Sequence, residues 1–173
     1  LFVVDGTRVY YNNTQVGSVT KEKKQMASIG NYVVIFPDKK YYVVPCEECP
    51  NGEFGDMEIV YKGSELTFTS NTITTKGKDF KFQKGDNVKI TGCSKSENDK
   101  EIIVRSVSGG ELTFDDNSFT ACENEAGVTL AREVPDLDFI CESNYRLWGT
   151  SGNTIYSSKF SDPLNFANFE GLS

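Results

Sequence analysis

Histidine is missing from all 173 residues, and that one gap removes a large part of enzyme chemistry. Without imidazole there is no Ser-His-Asp triad, no Cys-His dyad and no histidine-held metal. No run approaches the ~18–20 apolar residues that a membrane-crossing helix needs. Positive charge is also short, since 18 Lys and Arg face 25 Asp and Glu for a net charge of −7. Nucleic-acid binding rests on neutralising phosphates with basic side chains, so this balance argues against that partner. The two local basic concentrations, Lys21 to Lys24 and Lys76 to Lys81, read as solvated turns. The acidic excess likewise discourages a membrane surface. Helical periodicity is nearly absent: the best stretch, Thr20 to Ile29, has no sustained apolar face and reads as a charged turn entering a strand at Gln25.

Cysteine is present but irregular, at positions 46, 49, 93, 122 and 141. An odd count without regular spacing does not make a disulfide framework, and a reducing compartment is the default. Cys46-Glu-Glu-Cys49 is half of a zinc site or a redox pair by spacing. It has no second CxxC, no histidine, and a proline on either side (Pro45, Pro50), so a plain loop is the better reading. No metal and no cofactor are expected.

What the chain does have is short alternating runs of Val, Ile, Tyr, Phe and Thr, bounded by Gly, Asn, Asp and Pro. That is the grammar of an all-β protein. Two segments repeat one pattern: Asn31-Tyr-Val-Val-Ile-Phe-Pro-Asp-Lys-Lys-Tyr-Tyr-Val-Val44 and Asn144-Tyr-Arg-Leu-Trp-Gly-Thr-Ser-Gly-Asn-Thr-Ile-Tyr156. A looser copy, with Asp5-Gly6 as its turn, opens the chain. Strand, turn and aromatic strand in repetition describe the blades of a β-propeller or a related array. Between the repeats the grammar changes. Strands are expected at Glu65 to Thr69, Lys81-Phe82, Asn87 to Thr91, Lys100 to Arg105, Glu111 to Phe114 and Val128 to Arg132. Period-two alternation, as in Val88/Ile90 and Leu112/Phe114, gives each strand one core face and one wet face. Five or six short strands with tight turns at Gly85-Asp86 and Gly109-Gly110 suit a small SH3/OB-like β-barrel, closed or half-closed. The expected domains are therefore a discontinuous propeller-like β domain, 1–62 with 135–173, and an inserted barrel, 63–134. The outer residues suffice for about two blades at ~40–45 residues each, whereas a closed propeller needs at least four. Either a parent chain supplies the rest or the outer part is a smaller sheet. The strand-like start at Leu1 suggests a piece of a longer protein.

The run Phe80-Lys-Phe-Gln-Lys-Gly-Asp-Asn-Val-Lys-Ile-Thr-Gly-Cys93, with Asn98 to Arg105 and Glu111 to Phe114 after it, resembles a small β-barrel module of tail and neck proteins in tailed bacteriophages. The outer segments, Gln25 to Tyr41, Val134 to Gly149 and Asn153 to Phe166, are similar to prophage-encoded structural proteins of Gram-positive bacteria. That resemblance spans nearly the whole chain. It implies a virion protein, made in the bacterial host cytoplasm, with a propeller-like body and an inserted barrel. The family supplies no catalytic residue.

Candidate sites are few. The carboxylate pairs Asp115/Asp116, Glu47/Glu48 and Asp136/Asp138 invite a glycosidase reading, but all lie at expected turns, where acidic residues are common for local reasons. Asp115 to Ser118 and Ser96 to Asp99 gather oxygen ligands without calcium-loop spacing, and read as Asx-rich turns. The loop 94–99 shows nothing chemically distinctive. The cluster of Tyr145, Trp148, Tyr156, Phe160, Phe166 and Phe169 is either an exposed binding groove or between-blade core with Trp148 opposite Tyr156. The core reading is the better supported, and Tyr145, Trp148 and Tyr156 are the candidate ligand- or partner-binding aromatics. The expectation is a non-enzymatic virion structural protein that works by contacts with other virion proteins, and as a homo-oligomer. The alternative is a receptor- or glycan-binding module of a phage tail.

Overall fold

The computed structural model describes residues 1–63 and 65–166, which form nineteen β-strands, a single 3₁₀ turn and no α-helix. All pairings between named strands are antiparallel. Two compact units result: Leu1–Met57 with the chain from Val134 onward, and Glu58–Glu133.

The first unit begins with a three-stranded meander of β1 (Phe2–Asp5), β2 (Arg8–Tyr11) and β3 (Thr14–Ser18). Gly6 sits at φ +61°, and Asn12 and Asn13 at φ +46° and +68°, which makes both turns the left-handed kind that match strand twist. A four-stranded meander follows: β4 (Gln25–Ile29), β5 (Tyr32–Phe36), β6 (Lys40–Val43) and β7 (Glu53–Asp56). Its β5 reads Tyr-Val-Val-Ile-Phe without a polar residue because both of its faces are covered. Val34 and Phe36 lie in one cluster with residues of the chain beyond Val134, while Ile35 packs on Val9 of the first meander.

The central unit contains β8 (Ile59–Lys62), β9 (Leu66–Phe68), β10 (Thr72–Thr75), β11 (Asn87–Thr91), β12 (Glu101–Ile103), β13 (Ser106–Ser108), β14 (Glu111–Thr113), β15 (Cys122–Glu125) and β16 (Thr129–Arg132). They form two sheets, ordered β12-β11-β16-β8 and β13-β14-β10-β9-β15. The sheets share one core, in which Val88, Ile90, Val104, Leu112 and Phe114 are all buried. β8 belongs here because it pairs with β16 along its full length. Neither sheet closes into a barrel: the edge strands β8, β12, β13 and β15 each have one neighbour, and closure requires that every edge find a partner. The inserted body is an open pair of sheets around a common core. The expected strand at Lys81-Phe82 is irregular chain instead. Phe82 and the neighbouring Phe80 are buried all the same, with Phe80 4.7 Å from the Tyr61 ring and 6.3 Å from Phe82.

The first unit is completed by β17 (Phe139–Ser143), β18 (Arg146–Ser151) and β19 (Thr154–Ser157), a third meander. The three meanders are blade-like and stack in order. Val9, Val19 and Ile35 join the first to the second, helped by Phe2 and Tyr11 rings 5.7 and 5.4 Å from Tyr42. Gly17 is required there, since a Cβ would stand 2.5 Å from the Phe54 ring. Ile29, Val34, Phe36 and Tyr41 join the second to Ile140 and Leu147 of the third. The Gln25 side chain reinforces that join: its Nε2 donates to the Asp138 carbonyl at 2.8 Å, and its Oε1 accepts from Ile140 N–H at 3.1 Å. One amide thus continues a strand-like ladder from β4 to β17.

Candidate functional site

The third blade carries the aromatic residues singled out from sequence, and its register divides them. Trp148 lies between Cys141 and Ser157, whereas Tyr156 lies beside Gly149. Cross-strand partners share a face and neighbours along a strand do not, so Trp148 and Tyr156 point to opposite sides. The expected Trp148–Tyr156 pair is therefore absent, displaced by one residue of register. Tyr156 and Phe166 pack on the between-blade core with Leu147. Gly149 sits on that side too, where a Cβ would meet a Leu137 methyl at 2.5 Å. Trp148 turns outward, half-buried, and its Nε1 donates to the Ser143 carbonyl at 3.0 Å. Around it on the outward face stand Cys141, Phe139 (58% exposed) and Ile155 (72% exposed), the last two in one cross-strand row with Thr150. Phe169, the remaining member of the cluster, falls outside the described residues.

Tyr145 is elsewhere. It occupies the second position of the β17–β18 turn with φ +57°, after Asn144 at +52°. Asparagine tolerates this left-handed conformation, but a tyrosine is held there at a cost of about 1–2 kcal/mol. Its amide donates to Glu142 Oε1 at 3.0 Å, its carbonyl accepts from Ser161 N–H at 2.8 Å, and its ring lies 5.7 Å from Phe160. Both rings are more than half exposed. This aromatic pair at the blade tip is separate from the outward face that holds Trp148.

At the other end of the stack the first blade has an outward face of its own. Phe2, Val4 and Val9 face the second blade, so Val3, Asp5 and Tyr10 face away. With Leu1 and Asn13 they line a shallow depression of about 270 Å³, and Leu1 is 82% exposed. Both ends of the blade stack thus present apolar side chains.

The other candidates have local partners. Asp115 accepts both guanidinium bonds of Arg105, at 2.7 and 2.8 Å, which hold its carboxyl below the ordinary range. Asp136 pairs with Lys39 at 2.6 Å, and Asp138 accepts from Gly152 N–H at 2.9 Å. Glu47 and Glu48 are exposed at the tip of a tight loop closed by reciprocal backbone bonds between Cys46 and Cys49, at 3.1 and 3.2 Å. Among the described residues, no group of three or more His, Cys, Asp or Glu side chains converges on a metal position.

Three arrangements escaped the sequence. Asp86 and Arg132 form a buried ion pair at 2.8 Å, with the second carboxylate oxygen accepting from Gln83 N–H. In the 94–99 loop Asn98 is fully buried, giving its Nδ2 to the Thr120 carbonyl and accepting from Thr120 N–H, both at 2.9 Å. The same loop is fastened twice more. Asp99 accepts from Cys93 N–H at 2.8 Å and from Gly92, which lowers its pKa. Glu125 is lowered by hydrogen bonds from the Ser94 hydroxyl and amide. Burial, then the bond to Asp99, pushes the Cys93 thiol up to about 12. Nothing in a single sequence joins Asp86 to a residue 46 positions away. The available signal was an arginine ending the strand Thr129–Arg132, behind Leu130 and Ala131, and an aspartate in the turn just before Asn87–Thr91.

No family model, no curated protein and no solved structure matches this chain.

Proposed function

We propose that this chain is a non-enzymatic assembly protein, a structural component of a bacteriophage or prophage tail or neck, acting through protein–protein contacts. The observation that carries the reading is the pair of apolar outward faces at the two ends of the blade stack. One is built on Leu1, Val3 and Tyr10, the other on Phe139, Trp148 and Ile155. Apolar sheet faces of this kind mark interaction surfaces. The virion setting rests on the resemblance of the 80–93 run and of the outer segments to tail and prophage structural proteins. The partners are other virion proteins and further copies of the chain, met in the bacterial host cytoplasm. The test is mass spectrometry of purified particles from a host that carries the gene. Peptides of this chain are expected at a fixed ratio to the major tail proteins. Expression in the cell with none in the particles defeats the reading.

A second reading, a receptor- or glycan-binding module, is favoured by the exposed Tyr145–Phe160 pair, because paired rings stack on sugar faces. Tyr145→Ala is then expected to abolish oligosaccharide binding in calorimetry, while a chain that binds no oligosaccharide at all removes the reading.

A further inference from the structure

We propose that Cys46 and Cys49 form a reversible dithiol–disulfide site, oxidised by exchange with a small-molecule disulfide of the glutathione class. The site stands apart from the assembly reading and does not depend on it.

By spacing alone Cys46-Glu-Glu-Cys49 reads as a plain loop, and its backbone geometry adds what spacing lacks. Cys46 N–H donates to the Cys49 carbonyl at 3.1 Å, and Cys49 N–H donates to the Cys46 carbonyl at 3.2 Å. Two residues that exchange both bonds are a hydrogen-bonded antiparallel pair, with Cα atoms about 5.5 Å apart. A disulfide needs a Cα separation of roughly 4.4–6.8 Å. Directly opposed residues also carry their side chains on one face, so both sulfurs leave the backbone in the same direction. Both cysteines are free thiols and only half-buried, within reach of a small reagent.

The loop is held at each end. Val44 N–H donates to the Asn31 carbonyl at 2.8 Å, and Gly52 N–H donates to the Cys49 carbonyl at 3.1 Å. Gly52 has φ +68°, and a Cβ there would stand 2.5 Å from the Tyr42 hydroxyl. Pro45 and Pro50 fix φ on either side of the pair, which narrows what the loop loses on ring closure. The prolines that exclude a helical redox motif thus hold two thiols in register. The other cysteines are placed differently. Cys93 is pushed up to about 12 by burial and then by its bond to Asp99, and Cys122 is raised by burial and then by its bond to Glu125. Cys141 lies on β17 opposite Trp148.

In the exchange, one thiolate attacks the S–S bond of the reagent and releases the first half as a thiol. The second thiolate attacks the resulting mixed disulfide and releases the other half. One S–S bond breaks and one forms; the chain loses two hydrogens with their electrons, and the reagent gains them as two thiols. Opposed Cβ atoms in a sheet stand about 4.5–5.5 Å apart, against roughly 3.5–4.5 Å across a disulfide. That closing movement keeps the bond easily reduced, so the site switches and does not staple.

The experiment equilibrates the 173-residue chain with oxidised and reduced glutathione at set ratios near pH ~8, where thiolates are present. Acid quench, alkylation and peptide mapping by mass follow. The peptide that carries Cys46 and Cys49 is expected to lose two hydrogens and escape alkylation, and excess reduced glutathione restores it. The exchange constant is expected to be larger in the folded chain than in concentrated urea. The entropy of closing a four-residue loop sets roughly 20-fold as the ceiling of that ratio, and the Cβ movement takes part of it. Cys49→Ser is expected to stop at a mixed disulfide on Cys46, whereas Cys93→Ser and Cys141→Ser leave the ring unchanged. Circular dichroism checks that the variants fold; if one does not, the mapping of the unaltered chain decides alone. Two free thiols at strongly oxidising ratios overturn the site, as does a bond from either to another cysteine or another chain. A constant no larger in the folded chain than in urea overturns it too, since the fold then adds nothing to the pair.

Discussion

Arg132→Met removes one half of a buried ion pair, and its cost follows from the geometry. The guanidinium donates to Asp86 Oδ1 at 2.8 Å, and both side chains are buried. At an effective dielectric constant near 20, unit charges at that separation attract by about 6 kcal/mol. Most of that attraction offsets the desolvation of the two ions, so the intact pair adds little to stability. Removing the cation alone keeps the carboxylate buried and takes away its main offset, a loss of about 3–5 kcal/mol. A domain of this size has roughly 5–15 kcal/mol in all, so the central unit loses a large share. The assay is amide hydrogen exchange on the intact chain, read over β11 and β16. Protection there is expected to fall by about 10²–10⁴-fold. Trp148 lies in the other unit, and its fluorescence in urea serves as the control. Asp86→Leu combined with Arg132→Met recovers at least half of the loss, because no lone charge remains in the core. A single-variant cost under about 1 kcal/mol, or two losses that merely add, refutes the reasoning.

Three further outcomes follow from the same geometry. Tyr145→Gly relieves the left-handed turn and is expected to stabilise the third blade by about 1 kcal/mol, read as a later Trp148 unfolding midpoint in urea; an earlier midpoint shows that the Phe160 contact outweighs the strain. With its thiol pushed up to about 12, Cys93 is thiolate to only ~1 part in 10⁴ at pH 8, so exposed Cys141 alkylates well before it; equal rates in the folded protein contradict the burial of Cys93. Asp99 and Glu125 have folded pKa values below their ordinary 3.8 and 4.5. Their stabilisation is complete above those ordinary values and is lost as pH falls through the lower folded ones. Protection of the 92–99 loop amides, taken relative to the unfolded chain at each pH, is therefore expected to fall below about pH 4, and Glu125→Gln blunts the change; a protection profile that does not depend on the carboxylates refutes it.

Period and turn chemistry determined much of this protein from sequence alone. Alternation places Val88, Ile90, Leu112 and Phe114 inward, because side-chain direction in a strand reverses at every residue. Asp5-Gly6 marks a reversal, since glycine adopts the left-handed backbone of a tight hairpin, here φ +61°, without steric cost. The all-β class and the blade-like repeats follow from these local rules. Tertiary structure alone decided the rest, because pairing is a contest between distant segments. Strands of few apolar residues, such as Thr72 to Thr75 and Cys122 to Glu125, exist only through their neighbours. A register difference of one residue turned Trp148 away from Tyr156 and out of the core. The choice between a barrel and two open sheets lay with edge strands that find one partner instead of two. Asp86, legible as a turn residue, became the partner of Arg132 only when folding brought β16 beside β11.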